Sequence, residues 1–149
     1  MADYERDLIK KHEHTRPVKE QDRTKLTDVQ GANVGPVFLT YKNRENTSIQ
    51  EKISDITSKL EPDQVVTQNQ DETSVPVQHK LWKVDITENK FFEEEFKKVS
   101  ATYVADGHHR SAAAYNVGKL RKERAIQQGK TITGEEDFNY FMSIIYPDE

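Results

Sequence analysis

Hydrophobic positions along this chain alternate between strand-like runs and helical spacing. Val37, Phe38, Leu39 and Tyr41 form an apolar run behind the turn Asn33-Val34-Gly35-Pro36 and predict a strand. Ile49, Ile53, Ile56 and Leu60 then recur every three or four residues. Thr47 or Ser48 can cap that helix, and Pro62 follows its end. Val65 to Thr67 predicts a short strand, Gln68 to Thr73 a polar turn, and Val75 to Asp85 another strand. In this last run Val77, His79 and Leu81 are in phase, while Trp82 and Val84 are out of phase. Thr87 can cap a helix carrying Phe91, Phe92, Phe96 and Val99, with the three phenylalanines as core. Ala101 to Ala105 predicts a strand and His108 to about Gln128 a long helix. Gly129 and the Thr131–Gly134 region break that helix, and Asn139 to Tyr146 predicts the last strand.

The first thirty residues are more polar. Residues 1–5 show no helix or strand character, and Asp7 to His14 is a charged segment around Leu8 and Ile9. Pro17 suits the first turn of a helix running from Val18 to about Val29 and ending near Gly31, with a thin apolar face of Val18, Leu26 and Val29. Strands alternating with helices predict an α/β fold, or an α+β variant, with a mixed β-sheet and flanking helices in one domain over residues 1–149. The strand at Val75 to Asp85 lies one helix before Ala101 to Ala105, which allows a β-α-β crossover. No internal repeat is visible.

Composition narrows the class. Only 34% of the 149 residues are hydrophobic and 32% are charged, an excess carried by solvated helices. Lys and Arg number 22 against 26 acidic residues, so nothing marks a general nucleic-acid or membrane-surface binder. The absence of cysteine excludes disulfides and thiolate metal sites. No apolar stretch is long enough to span a membrane and no signal peptide is present, so a cytoplasmic protein is the expectation. The closing run Phe141 to Pro147 is strand-like. Its edge should be covered, or could pair with a second copy in an oligomer.

The densest chemistry lies at Asp106-Gly107-His108-His109-Arg110, between a predicted strand and a predicted helix. Such a junction offers free backbone N–H groups to an anion. Gly107 leaves room for a ligand, Arg110 supplies a planar cation suited to phosphate, and the histidines and aspartate can move protons. The plain alternative is a helix cap, with Asp106 as the capping residue. A second run, Lys10-Lys11-His12-Glu13-His14-Thr15-Arg16, sets a carboxylate among imidazoles and cations. Alone it reads as a charged loop. Beside the first run it offers a base to a phosphate cradle, with His12 and Arg16 in support. Glu20-Gln21-Asp22-Arg23 reads as a solvated helix face, although Glu20 could reach the preceding loop. Lys119, Arg121, Lys122 and Arg124 read as the wet side of a helix.

Taken in order, Ile9 to Glu13 with Thr15-Arg16, Lys19 to Arg23, Asn33 to Pro36 and Ala105 to Arg110 resemble the bacterial family labelled domain of unknown function 1015. Members of that family are much longer, so the resemblance implies that this chain is a fragment of a longer protein. The family in turn resembles an archaeal kinase of free serine and the ParB/sulfiredoxin-like fold. The resemblance implies phosphate or nucleotide binding at Gly107, His108, His109 and Arg110, with ATP or ADP as donor and Mg2+ as the metal. It implies catalytic roles for Glu13, as base toward the substrate hydroxyl, and for Asp106 and His108, which would contact the substrate or magnesium-bound oxygen. The leading expectation is a nucleotide-dependent phosphotransferase acting on a small hydroxyl substrate such as serine. A non-catalytic nucleotide-binding regulatory module is the second, and a metal-dependent phosphohydrolase using His12, His108 and His109 the third.

Overall fold

A computed structural model of the chain describes residues 1–68 and 75–148; apart from Gln68, the turn expected at Gln68 to Thr73 lies outside the described residues. In chain order the regular elements are α1 (Ala2–Glu5), β1 (Ile9–Lys10), α2 (Pro17–Gln30), β2 (Val37–Tyr41), α3 (Ser48–Lys59), β3 (Gln64–Gln68), β4 (Val77–Leu81), α4 (Asn89–Phe96), β5 (Thr102–Asp106), α5 (His108–Gln127) and β6 (Ser143–Pro147). The fold is α/β with a mixed sheet and flanking helices. Contacts cluster into two units, Met1–Lys42 with Ser100–Glu149, and Asn43–Val99.

The first unit is built on a four-stranded sheet of order β1-β5-β2-β6. β1 runs parallel to β5, β5 antiparallel to β2, and β2 parallel to β6. Along β2 the side chains alternate between the two faces, as strand geometry requires. Val37, Leu39 and Tyr41 are buried and Phe38 is exposed. Val37 and Leu39 meet Val104 of β5, and Ile9, Phe141 and Ile145 close around them. α5 is long because Ala112, Ala113, Ala114 and Val117 give it a small, buried face. α2 packs along α5 and is tied to it by charge. Asp28 accepts from Arg124 Nη1 through both carboxylate oxygens, at 2.9 and 2.8 Å, and its carbonyl accepts from Arg121 Nη2 at 3.0 Å. Two of the four cations expected on the wet side of α5 are therefore helix-to-helix ties.

Four local expectations need correction here. Residues 2–5 form one helical turn. Two residues of the charged segment, Ile9 and Lys10, pair with Thr102 and Tyr103 as a strand. Ile9 reaches the core that way. The last strand starts at Ser143, because Asp137–Asn139 is a 3-10 turn. Asp106 does not cap α5: the capping residue is Gly107, and the Asp106 carboxylate pairs with Arg110.

The second unit holds α3, α4 and the antiparallel hairpin β3–β4. β4 pairs with β3 in a sheet of its own, so no β-α-β crossover links it to β5. The hairpin's residues are exposed, and Val65, Val66, Val77 and Leu81 sit on paired strands. Thr47 is the N-cap residue of α3, as expected, but its side chain makes no capping bond, and Asp85 rather than Thr87 caps the turn ahead of α4. Asn46 Oδ1 accepts the Ser48 N–H at 3.1 Å, and Asp85 Oδ1 accepts the Thr87 N–H at 2.8 Å. Both winners are Asx residues, whose short carbonyl oxygens reach the N–H two residues on more readily than a hydroxyl does. Phe91, Phe92 and Phe96 are half-buried; the buried position on α4 is Glu95, whose carboxylate accepts from Asn46 Nδ2 at 2.8 Å.

Candidate functional site

β5 ends at Asp106 and α5 starts at His108, with Gly107 between them at φ +100. That left-handed backbone is open to glycine at little cost. It turns the chain so sharply that the first intrahelical bond runs from the Ser111 N–H to the Gly107 carbonyl, at 2.9 Å. The N–H groups of His108, His109 and Arg110 precede that bond and lie outside the helix's own ladder. They form the positive end of a twenty-residue helix.

Arg110 is fixed over this turn. It pairs with the Asp106 carboxylate one turn back. A Cβ placed on Gly107 would lie 3.0 Å from Arg110 Nε, and one on Gly35 3.2 Å from Nη1. The guanidinium therefore lies against two backbones that approach it closely because neither carries a side chain. Gly35 also holds a left-handed backbone, at φ +80.

The two histidines hold the Lys11–Arg16 loop. His108 Nε2 accepts the His12 N–H at 3.4 Å, and His109 Nε2 accepts the Arg16 N–H at 3.2 Å. These links join positions more than ninety residues apart in sequence, and they latch the loop at both ends. His108 is only 6% exposed. Burial, then the adjacent His12, pushes it below the usual histidine range, against an upward pull from Glu13 and Asp106. It is neutral at neutral pH. With Nε2 accepting, the ring proton sits on Nδ1, which faces Glu13 Oε2 at 3.7 Å. The His12 ring meets His108 edge-on, with centroids 4.4 Å apart. Arg16 contributes its backbone to the latch. His14 is exposed.

The loop is braced from its far side as well. Glu20 on α2 accepts from the Thr15 hydroxyl and, through Oε1, from Asn116 Nδ2 at 2.7 Å. These bonds, the Thr15 one foremost, hold its carboxyl below the ordinary glutamate value. Glu20 therefore does reach the loop, as a brace.

An open cleft of about 710 Å³ results. Glu13, Asp106, Gly107, His108, His109 and Arg110 line it, so the two runs singled out in the sequence share one surface. Lys19, Asp22 and Arg23 line it too. Sequence reasoning treated Asp22 and Arg23 as solvated and gave Lys19 no role. Lys19 and Arg23 are four residues apart and share a helical face, and both belong to the Lys19–Arg23 run of the family resemblance; together these signals could have paired them. Three cations and a helix N-terminus thus share the space with three carboxylates: Glu13, 63% exposed, Asp22, and Asp106, which pairs with Arg110. Such a surface can hold a multiply charged anion and present a carboxylate to a group bound next to it.

No described helix is long and apolar enough to cross a membrane. No curated protein and no solved structure matches the chain. A family model described as "Protein of unknown function (DUF1015)" matches residues 1–149, the span that carries the ordered motifs from Ile9 to Arg110, and the chain belongs to that family.

Proposed function

We propose that the cleft binds the phosphates of a nucleotide, ADP or ATP, and transfers a phosphoryl group to a small hydroxyl substrate, as the likeness to a free-serine kinase implies. The observation that carries this reading is the convergence of Lys19, Arg23, Arg110 and the α5 N-terminus on one cleft with Glu13. The cations and the N–H groups neutralise phosphate oxygens. The substrate oxygen attacks the terminal phosphorus, the bond to the departing nucleotide oxygen breaks, and the hydroxyl proton goes to Glu13. Phosphoryl transfer depends chiefly on such positioning and charge stabilisation, so one carboxylate held by a latched loop suffices. Magnesium takes oxygen ligands, and with Glu13 kept as the base the Asp106 carboxylate is the cleft oxygen that would hold it. When bound it would offset phosphate charge. The proposed setting is cytoplasmic, and the proposed fold is ParB/sulfiredoxin-like, as the resemblance implies.

One observation favours a second reading, a nucleotide-binding module without turnover. The Nε2 atoms of both imidazoles at the turn accept loop N–H groups, so the histidines serve to hold the loop rather than to move protons. One experiment separates the two. The chain is incubated with ADP or ATP, magnesium and free serine, and product is followed alongside calorimetric binding. The kinase reading expects transfer that Glu13→Gln abolishes while nucleotide binding persists, and that Arg110→Ala abolishes together with binding. Nucleotide binding with no product establishes the module, and transfer unaffected by either substitution contradicts both readings.

A further inference from the structure

His12, Glu13 and His108 each offer one ligand atom, and these three atoms lie within 4.8 Å of one another. The grouping is held together by the latch: His12 and Glu13 sit on a loop whose backbone is tied to His108 and His109. From these positions we infer that His12, Glu13 and His108 form a binding site for a divalent first-row transition ion of the zinc class. This goes beyond the nucleotide reading and does not depend on it; while the ion is bound, Glu13 is a ligand and cannot act as that reading's base.

The donor chemistry selects the ion. Two imidazole nitrogens and one carboxylate oxygen suit zinc and its neighbours, whereas magnesium prefers an all-oxygen, octahedral shell. Two imidazoles and a glutamate are also a known three-ligand set for zinc sites that keep a fourth position open. Glu13 and His108 both line the cleft, so a water or a phosphate oxygen from a cleft ligand can take that position. The separation of 3.7 Å between His108 Nδ1 and Glu13 Oε2 is close to the gap between two ligand atoms about 2 Å from a shared ion. Nδ1 must shed its proton to ligate. The proton moves to Nε2, and the long 3.4 Å bond from the His12 N–H is given up. The ion then takes over from that bond as the tie between loop and helix.

The test uses the whole chain, stripped of metal with a chelator and titrated calorimetrically with zinc alone and then with magnesium alone. Cobalt substitution supplies an absorption spectrum as a second readout. The expected result is one zinc per chain, a visible cobalt spectrum typical of four or five ligands, and no magnesium binding in the absence of nucleotide. His12→Ala and Glu13→Gln lie on an exposed loop, and each should weaken zinc at least tenfold with the circular dichroism spectrum unchanged. His14→Ala, outside the group, should leave affinity intact. Absence of stoichiometric zinc binding overturns the site, as does zinc binding that survives both substitutions or is lost equally in His14→Ala. Nucleotide affinity, measured without zinc, tests the other reading separately.

Discussion

Gly107 is the residue on which the site turns. Its φ of +100 is costly for any L side chain, and an added Cβ would press on the Arg110 guanidinium at 3.0 Å. Gly107→Ala should destabilise the fold by about 1–3 kcal/mol. It should also shift Arg110 and weaken pyrophosphate binding, while the spectroscopic signature of the fold is retained. Denaturation and a binding titration on the same preparation check both halves. Glu20 gives a prediction with a pH signature. Its carboxyl is held below 4.5 by bonds from Thr15 and Asn116, so its stabilisation is complete above that pH and fades as pH falls through the depressed value. Glu20→Ala should cost about 1–2 kcal/mol at pH 7. The gap from the unsubstituted chain should close in acid, read by urea unfolding across pH 3 to 7; a gap independent of pH contradicts the brace. At this scale the sequence was partly legible. Asp106 to Arg110 announced itself by chemical density, whereas Lys19 and Arg23 did not, because the wall of an open cleft and the wet face of a helix carry the same residue types.

At the scale of elements, patterning worked for β2, β5 and α5, which each bury a face. α2 buries no residue, and its expected face of Val18, Leu26 and Val29 is exposed; Pro17 and Gly31 are what mark its bounds. β1 escaped notice because a two-residue strand has no period to display; only its pairing with Thr102 and Tyr103 defines it. β4 was recognised as a strand and a crossover to β5 was left open, because alternation reports a strand's faces and not its neighbour; it pairs with β3 instead. The tie between α2 and α5 was hidden for a related reason: Asp28 is one acidic residue among many until Arg121 and Arg124 are brought beside it. Asp28 is 19% exposed and accepts Arg124 through both oxygens, so it is worth more than an open surface pair. Asp28→Ala should lower stability by about 1 kcal/mol, and the loss should shrink in high salt. Thermal unfolding at low and high ionic strength reads both effects.

At the scale of the whole molecule, the site belongs to one unit assembled from two separated stretches, Met1–Lys42 and Ser100–Glu149. Every cleft residue comes from those stretches, with the loop and α2 on one side of the sequence and the turn and α5 on the other. Composition does not mark Asn43–Val99 as a separate unit, since it carries the same mix of charge and short apolar runs as its flanks. The contact of His12 with His108 spans ninety-six positions and is fixed by β1 running parallel to β5, a pairing that periodicity cannot show. On the proposed reading, this assembly makes an anion site with walls from α2 as well as from the turn. The most direct test is a calorimetric titration of the chain with pyrophosphate, compared with the Lys19→Ala/Arg23→Ala double substitution. The account predicts one pyrophosphate per chain and at least a tenfold loss of affinity in the double variant, with thermal stability unchanged. Equal affinity in the two proteins, or no binding by the unsubstituted chain, contradicts it.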